Sequence, residues 1–252
     1  MCLYLEYFKV LLSKEDESVI SVCLTTYNGE KYIKEQLNSI LIQLSEGDEI
    51  IISDDGSTDN SIAILESYND SRIKIYLNNF KSVVRNFEFV ICQSKGDLIF
   101  LSDQDDIWDR SKIKEYLSVF SKDDKTTLVI SDLQLIDKDG NFIQREFYRK
   151  KFTSKLSTNL IQNNFIGCSI AFRKEVKNYV LPFPKSLAMH DWWIGSCSII
   201  FGKVEFIDKK LLYYRRHDDN FTREGGAKLL TKLIWRVNLI IHLVYRVIVL
   251  KK

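Results

Sequence analysis

The stretch from Gly96 to Asp109, GDLIFLSDQDDIWD, determines how the rest of the chain is interpreted. Its first half contains an apolar run, Leu98 to Leu101, which predicts a short buried strand. Its second half places four carboxylates around one tryptophan: Asp103, Asp105, Asp106, Trp108 and Asp109. Clustered carboxylates repel one another and lose hydration on burial, which a divalent cation such as Mg²⁺ or Mn²⁺ would offset. A solvated acidic turn that caps the next helix explains the same residues, so this stretch alone leaves both interpretations open.

The composition is that of an ordinary globular protein. The chain has 252 residues, of which 45% are hydrophobic and 28% charged, and this predicts one domain with a sizeable core. The net charge is +2, so no nucleic-acid partner is expected. The five cysteines are scattered without a CxxC pair, which argues against a disulfide framework or a zinc site and fits a reducing cytosol.

Residues 1–18 are interpreted as an N-terminal extension. The segment lacks a basic n-region, and Glu6 and Lys9 interrupt its apolar run. It is therefore a poor secretory signal. An amphipathic helix or a frayed extension fits it better.

The first half of the chain alternates between apolar runs and amphipathic segments. Five strands are predicted, at Val19–Leu24, Glu49–Ser53, Arg72–Leu77, Leu98–Leu101 and Leu128–Ser131. Four helices are predicted between them, at 30–44, from Thr58 or Asp59 to 68, at 84–93 and at 110–120. This alternation indicates an α/β fold: a Rossmann-like domain with a mostly parallel central sheet flanked by helices.

Polar turns follow three of these strands. They lie at Thr25–Gly29, Asp54–Asp59 and Ser102–Asp106. In parallel sheets the carboxyl ends of the strands meet at one edge, where ligands bind. The chain contains neither GxGxxG nor a Walker motif, so neither a dinucleotide fingerprint nor a P-loop is expected. Three polar turns at one edge favour a binding site there.

The second half is less regular. Asp139-Gly140-Asn141 predicts a hairpin. Further elements are predicted as strands at Cys168–Arg173, Val204–Ile207 and Leu211–Tyr214 and as a helix at His190–Phe201. The stretch Arg145–Lys155 is basic with aromatic residues between the charges. It fits either a grip on an anionic acceptor or lipid phosphate, or a solvated basic loop.

The last segment, Ala227–Lys252, predicts a strongly apolar helix. Arg236, His242 and Arg246 interrupt the apolar run, which is unfavourable for a spanning helix and suits one that lies in a membrane interface. Trp235 and Tyr245 would then lie at headgroup depth. A terminal helix packed on the domain is the alternative, and the dibasic end favours contact with anionic lipid.

These motifs resemble the family 2 glycosyltransferases with the GT-A fold, particularly the bacterial rhamnosyltransferase-like members. The matching pieces, spread over Val19–Phe221, are SVCLTTYNGEKYIKEQLNSIL, IIISDDGSTDNS, the loop 78–86, GDLIFLSDQDDIW, HDWW and YYRRHDDN. The resemblance implies one GT-A domain at 19–226, between the extension at 1–18 and the amphipathic helix at 227–252, for which membrane contact and packing on the domain both stay open. Residues 19–132 would form its nucleotide-sugar half, and residues 133–226 its acceptor half.

The resemblance also implies roles for the donor-binding residues. Thr25 and Tyr27 would line the base pocket, with Tyr27 stacked on a pyrimidine. Asp55 would accept the N3–H of uracil or thymine, and Asp54 would be structural. Arg85 corresponds to a basic residue near the donor. Ordinary turn, capping or surface roles are the alternatives for each of them.

The metal and catalytic roles follow from the same resemblance. Asp103 would meet the ribose or sugar, and Asp105 would bind Mn²⁺ or Mg²⁺ on the diphosphate. His217 would close the site near the metal, with Arg216 or Arg215 on the phosphates. Asp191 in HDWW would be the general base, while Trp192 and Trp193 fit the core as well as an acceptor platform. Asp106 and Trp108 would fix the loop.

The expected activity is inverting transfer of a sugar from a UDP- or dTDP-sugar, including dTDP-rhamnose, to a glycan or lipid-linked glycan in cell-surface polysaccharide synthesis. The expected location is the cytoplasm, peripheral on the inner face of the cell membrane. Two alternatives are a haloacid-dehalogenase-like phosphatase, suggested by an apolar strand followed by DxD, and a non-catalytic scaffold that binds sugar nucleotides.

Overall fold

The structure is a computed structural model that describes residues 18–146, 152–217 and 228–250. The expectations for most of the N-terminal extension and for the middle of the basic stretch, 147–151, lie outside the described residues. So do those for Asp218–Ala227 and for the two terminal lysines.

Nine strands form a single sheet in the described residues. They are β1 Ile20–Thr26, β2 Glu49–Asp54, β3 Ile73–Leu77, β4 Leu98–Ser102, β5 Ile107–Trp108, β6 Thr126–Ile136, β7 Phe142–Glu146, β8 Ile170–Arg173 and β9 Lys203–Arg215. The order is β3-β2-β1-β4-β8-β6-β9-β5, and β7 pairs with β6.

Eight α-helices connect and cover the strands in the described part of the chain. They are α1 Ile33–Leu41, α2 Ser61–Glu66, α3 Val83–Gln93, α4 Lys112–Phe120, α5 Leu156–Ile161, α6 Lys177–Val180, α7 His190–Phe201 and α8 Leu229–Leu250. Short 3₁₀ turns occupy Gly167–Ser169 and Lys174–Val176.

The first half of the sheet is parallel, as predicted. Strands β3, β2, β1 and β4 pair in parallel, and every residue of β1, β2 and β4 is buried. Strands covered by helices on both faces have no solvent side, which is why these segments are apolar runs. Their predicted bounds agree with the structure to within two residues, and the α/β fold class is confirmed.

The second half of the sheet is mixed. β8 pairs antiparallel with both β4 and β6, whereas β6 and β9 run parallel. The strand predicted at Leu128–Ser131 extends over the whole of β6. The two strands predicted at Val204–Ile207 and Leu211–Tyr214 are one continuous strand, β9. The exposed residues Asp208, Lys209 and Lys210 separate its apolar runs where the register with β6 shifts, so periodicity alone suggested a break.

Two smaller differences concern helix and strand ends. Ile107 and Trp108 form a short strand against β9, between the predicted turn Ser102–Asp106 and the predicted helix 110–120, where no strand was predicted. Helix α2 begins at Ser61, later than predicted, because the Asp59 carboxylate accepts hydrogen bonds from both the N–H and the hydroxyl of Ser61. The predicted hairpin is present, with Gly140 at a φ of +88°.

Helices cover both faces of the sheet. On one face α1, α2 and α4 pack through residues such as Leu37, Leu65 and Tyr116. On the other face α3, α6 and α7 pack through residues such as Phe87, Val180 and Trp193. The carboxyl edge of β1, β2 and β4 is left for the polar turns, so the fold places them together.

Helix α8 docks on the second face through polar anchors. Leu239 and Leu243 are buried. The guanidinium of Arg236 donates to the Ile161 carbonyl, and that of Arg246 donates to the carbonyls of Leu181 and Pro182. The helix therefore packs on the domain, and by length and composition alone it is also long and apolar enough to cross a membrane.

Candidate active site

Gln104 ties the loop after β4 to the turn after β1. Its Oε1 accepts hydrogen bonds from the Thr26 hydroxyl at 2.6 Å and from the Tyr27 N–H at 2.8 Å. Its Nε2 donates to the Tyr27 carbonyl at 3.1 Å. The Tyr27 backbone is thus fixed, while 56% of the residue is exposed, so its ring is accessible to a planar ligand. Thr25 lies buried just before it.

The turns after β1 and β2 also interlock. The Asn28 N–H donates to the Ser57 hydroxyl, and Asn28 Oδ1 accepts from the Thr58 N–H, both at 2.8 Å. Asn28 adopts a left-handed conformation with φ of 49°, which Asn tolerates better than most residues. The Gly29 N–H donates to Ser61 Oγ at 2.7 Å. The predicted donor edge is therefore one hydrogen-bonded unit.

Asp54 and Asp55 act on different parts of this edge. Asp54 is buried and closes its own turn by accepting the N–H groups of Gly56 and Ser57. The Asp55 carboxylate accepts the N–H groups of Lys81 and Ser82, both at 2.9 Å. An ionised carboxylate has about four acceptor sites, so Asp55 retains acceptor capacity while it holds the loop after β3.

The carboxylates of the DQDD segment converge with the end of β9. Asp105 Oδ2 lies 2.8 Å from His217 Nε2, although the two residues are 112 positions apart. Oxygens of Asp103 and Asp106 lie within 4.8 Å of each other and of Cys168 Sγ. The structure thus brings together the two residues predicted for the metal, beside the one predicted for the sugar.

Arg215 holds this cluster in place. Its N–H donates to Asp106 Oδ1 at 3.0 Å, and its Nε donates to the Asp105 carbonyl at 2.8 Å. Its Nη2 pairs with Glu35 at 2.6 Å, and the guanidinium lies 4.7 Å from the centre of the Tyr32 ring. The side chain is 3% exposed. This burial and these contacts give Arg215 a structural role, which argues against its contact with donor phosphates.

Arg216 lies at the same end of β9. Its N–H donates to the Ile136 carbonyl at 2.9 Å, and its guanidinium lies 5.9 Å from the centre of the Tyr214 ring. Of the two neighbouring arginines, Arg216 is therefore the one for which we retain the prediction of contact with the donor phosphates.

Burial raises the proton affinity of the acidic cluster. Desolvation, followed by the charges of Asp105 and Asp191, raises the pKa of Asp103 to about 7. The same causes, desolvation and then the charges of Asp105 and Asp103, raise the pKa of Asp106 well above its usual range. A bound cation would oppose both shifts, because it favours the ionised carboxylates.

Lys112 is a buried cation beneath the cluster. Its Nζ donates to the Cys168 carbonyl at 2.7 Å and lies 4.3 Å from the centre of the Trp108 ring. Desolvation lowers the pKa of Lys112 to about 8, while the neighbouring Asp106 and Asp103 favour its charged form. Lys112 and Arg215 together neutralise part of the acidic charge.

Asp191 lies in the first turn of α7. Its Oδ1 accepts hydrogen bonds from the Trp192 N–H at 2.6 Å and from Asn163 Nδ2 at 3.1 Å. Burial raises the pKa of Asp191 to about 6, although the hydrogen bonds from Trp192, Asn163 and the Gly167 amide favour its ionised form. The carboxyl group can therefore exchange a proton near neutral pH.

The residues around Asp191 belong to the core. Trp193 is fully buried and donates from Nε1 to the Val180 carbonyl, while Trp192 donates to the Asn159 carbonyl. Both rings are buried, which favours the core interpretation of these tryptophans over an acceptor platform. His190 stacks on Phe87 at 3.9 Å between ring centres, and burial lowers the pKa of His190 to about 3.

Arg85 lies on α3, in contact with the loop that follows α6. Its Nη1 pairs with Glu88 and contacts the Phe183 carbonyl at 3.5 Å. Glu88 in turn accepts the Phe183 N–H at 2.6 Å. These contacts give Arg85 a structural role in tethering this loop, and its proximity to a donor stays a prediction.

A divalent cation fits the donor atoms of this site. Carboxylate oxygen and imidazole nitrogen, as in Asp105 and His217, are ligands that Mn²⁺ accepts. Asp106 Oδ2 is buried and finds no hydrogen-bond donor among the described residues, so the cluster has acceptor capacity that a cation can satisfy. Cys168 is the least suitable ligand, since burial raises the pKa of its thiol well above the usual value.

Sequence reasoning missed three residues of the site. Gln104 lies inside the DQDD motif, and its position between two acidic residues was the sequence feature that could have indicated a role in the site. Lys112 interrupts the apolar stripe that Tyr116 and Phe120 continue on α4, an observation that could have pointed to a buried charge. Asn163 lies in an irregular segment with no pattern that indicates its contact with Asp191.

The sequence matches a known protein family and several curated proteins. The sequence profile of Glycosyl transferase family 2 matches residues 21–180. An uncharacterized glycosyltransferase of Nostoc sp. is 30% identical over 212 residues, which cover 80% of this chain and 66% of that protein. The dTDP-rhamnosyl transferase RfbG of Shigella flexneri is 30% identical, with 78% of this chain and 72% of RfbG covered. This chain thus spans about two thirds of the length of these relatives.

Two solved structures share the fold. One is S. aureus TarS 1-349 in complex with UDP-GlcNAc, with a TM-score of 0.71, 19% identity, and coverage of 88% of this chain and 66% of that one. The other is the mannosyltransferase PcManGT from Pyrobaculum calidifontis in complex with GDP-Man and Mn²⁺, with a TM-score of 0.64, 16% identity, and coverage of 96% and 77%. At these identities the likeness establishes the GT-A fold.

Replacing Arg215 by Met should destabilise the protein by roughly 3–5 kcal/mol, because it leaves a buried acidic loop without its partner. Urea unfolding followed by circular dichroism measures the change. The matched control is Lys209→Met, which removes an exposed ion pair with Glu115 and should change stability by less than about 1 kcal/mol. Equal stability of the two variants would show that Arg215 does not hold the cluster.

Proposed function

The chain belongs to the family 2 glycosyltransferases, and we propose that it is a metal-dependent, inverting transferase that moves a sugar from a pyrimidine nucleotide donor. The observation that carries this proposal is the pairing of Asp105 with His217 at 2.8 Å. It lies at the carboxyl edge of the sheet, beside the Asp103 carboxylate and the fixed turns. The family membership and the position of the DxD motif on the fourth strand argue against the phosphatase alternative.

Residues of the first half would bind the donor. The exposed Tyr27 ring would stack on the base, with Thr25 beneath it and Asp55 accepting the N3–H. Thymine and uracil both present this N–H, and a relative named as a dTDP-rhamnosyl transferase supports dTDP as one candidate. Arg85 would act near the donor only if its pair with Glu88 opened.

Asp105 and His217 would hold Mn²⁺ or Mg²⁺, which when bound supplies positive charge to the departing diphosphate. Asp103 would accept hydrogen bonds from the ribose or sugar hydroxyls. Arg216 would add charge-assisted hydrogen bonds to the phosphates. Arg215 and Lys112 would keep the loop of carboxylates in position.

Asp191 would act as the general base. Its carboxylate would take the proton of the acceptor hydroxyl as that oxygen bonds to the anomeric carbon and the bond from this carbon to the phosphate oxygen breaks. Because burial raises the pKa of Asp191 to about 6, the group is ionised at neutral pH yet basic enough to accept a proton. One displacement inverts the anomeric centre.

The proposed acceptor is a glycan or lipid-linked glycan, and the proposed location is the inner face of the cell membrane. Every exposed residue of α8 is apolar or, at Tyr245, aromatic, whereas its charged residues are partly buried. The usual amphipathic arrangement is thus reversed: polar anchors face the protein, and an apolar face points outward. Such a face requires an apolar partner.

The charges around this face favour a lipid surface over a second copy of the chain. The segment 227–252 contains no acidic residue, and lysines flank the helix at both ends. Two copies of α8 packed together, parallel or antiparallel, would bring these lysines against one another. Anionic headgroups instead complement them.

Asp105→Asn should abolish metal-dependent nucleotide binding, since the amide keeps the shape but loses the charge. Calorimetric titration of dTDP and UDP with Mn²⁺ measures the dissociation constants. Asp109→Asn is the control, because Asp109 accepts hydrogen bonds from the N–H and the hydroxyl of Ser111 at the start of α4, and its replacement should leave binding unchanged. Unaltered Mn²⁺-dependent affinity in Asp105→Asn would remove Asp105 as the metal ligand.

Asp191→Asn should lower the transfer rate by roughly 10²–10⁴-fold and leave nucleotide affinity unchanged. The wild-type rate should rise as pH increases through about 6, where Asp191 ionises, and then level off. Single-turnover sugar transfer measures both, with the exposed Asp208→Asn as control. Near-normal turnover in Asp191→Asn would exclude it as the base. A wild type that binds nucleotide but transfers nothing would favour the scaffold alternative.

Ile241→Glu should weaken binding to anionic vesicles by about tenfold or more. The substitution places a negative charge on the outward apolar face of α8, where the anionic headgroups repel it and an apolar contact with the bilayer is lost. Co-sedimentation with vesicles of phosphatidylglycerol and phosphatidylethanolamine measures the partition. Ile42→Glu is the matched control, since Ile42 is 66% exposed and lies outside α8. If both variants bind like the wild type, α8 does not contact lipid.

A further inference from the structure

An apolar cleft lies between α5, α7 and α8. Its volume is about 380 Å³, and all eight lining residues are aliphatic. Leu156 and Leu160 of α5 form one wall, Ile200 of α7 forms another, and α8 contributes the remaining five residues, among them Leu243 and Val244. A cleft of this size and lining is within the range of cavities that hold small apolar ligands.

The cleft is continuous with the outward face of α8. Ile240, Val244 and Ile248 line the cleft and are also 43–54% exposed. The cleft therefore opens along the surface that we propose to meet lipid. A hydrocarbon chain could enter it from a bilayer without crossing water.

Two elements that line the cleft also lead to Asp191. Leu160 of α5 is three residues before Asn163, whose Nδ2 donates to the Asp191 carboxylate at 3.1 Å. Helix α7 carries Asp191 in its first turn and reaches the cleft at Ile200, about 14 Å further along at 1.5 Å per residue. The carboxyl end of α5 is thus the end of the cleft from which the chain continues to the contact with Asp191.

A cation stands at that same end. The Arg236 guanidinium donates to the Ile161 carbonyl from Nε at 3.0 Å and from Nη2 at 2.5 Å. Lys232 lies one turn before it on α8. Arg236 does not line the cleft itself, but Ile161 adjoins the lining residue Leu160, and Ile240, one turn after Arg236, lines it too. An arginine next to an aliphatic cleft is complementary to a molecule with a long chain and an anionic head.

We propose that the cleft binds the hydrocarbon chain of a phosphate-linked lipid acceptor, with the phosphate beside Arg236 and the sugar directed to Asp191. This inference rests on the proposed function and specifies its acceptor as a lipid phosphate that carries sugar. It assigns to α8 a part in substrate binding in addition to membrane contact.

The test uses decyl phosphate below its critical micelle concentration, and decanol below its solubility limit in water, to displace a dansylated undecanoic acid from the full-length protein. Leu160→Trp and Val244→Trp fill the cleft, and each should lower the affinity for decyl phosphate at least tenfold. Leu230→Trp is the control, because Leu230 is 69% exposed on α8 and does not line the cleft. Arg236→Gln should weaken decyl phosphate several-fold and leave decanol unchanged.

The proposal is overturned if Leu160→Trp and Val244→Trp bind decyl phosphate as the wild type does. It is also overturned if Leu230→Trp loses as much affinity, because the chain would then lie on the outward face like any bilayer lipid. If Arg236→Gln lowers the affinities for decyl phosphate and for decanol equally, the placement of the phosphate beside Arg236 is overturned. Nucleotide binding with Mn²⁺, measured on the same samples, verifies folding of the variants and tests the proposed function separately from the cleft.

Discussion

The central physical constraint in this molecule is the burial of several carboxylates at one sheet edge. Asp105 and Asp106 are buried beside Asp103, and this concentration of acids raises the pKa of Asp103 and of Asp106. Two buried cations, Arg215 and Lys112, lie next to these carboxylates and oppose this repulsion. The carboxylate oxygens that remain without a cation suit a divalent ion. Clustered carboxylates are unfavourable when no metal is bound, but the same cluster favours binding of a diphosphate together with its metal.

This constraint also explains why distant parts of the chain meet. Arg215 ends β9 and contacts residues of the DQDD loop and of α1, up to 180 positions away in sequence. His217 follows it directly and reaches Asp105. On the other side, Asn163 and α7 bring Asp191 toward the same edge. Helix α8 supports α5 and the loop after α6 through Arg236 and Arg246, which links the proposed lipid contact to the elements that hold the base.

Much of this could be predicted from sequence because the signals are local. The buried strands β1, β2 and β4 are uninterrupted apolar runs, and the motifs after them mark the binding edge. The structural roles of Arg215, Gln104 and Asn163 could not be predicted, since their partners are fixed only by tertiary contacts. The polar residues of α8 indicated an interfacial helix. Their side chains point inward, toward carbonyl groups of the domain, and this direction depends on tertiary packing that sequence periodicity does not predict.

Thermal unfolding of the wild-type protein with dTDP, UDP and GDP, each with and without Mn²⁺, tests the central claim most directly. A ligand at about 100 times its dissociation constant stabilises the folded state by about 2.7 kcal/mol. We predict that dTDP or UDP raises the melting temperature when Mn²⁺ is present and has little effect without it. The absence of a shift with every nucleotide, or the same shift with and without metal, would contradict a metal-dependent nucleotide-sugar site.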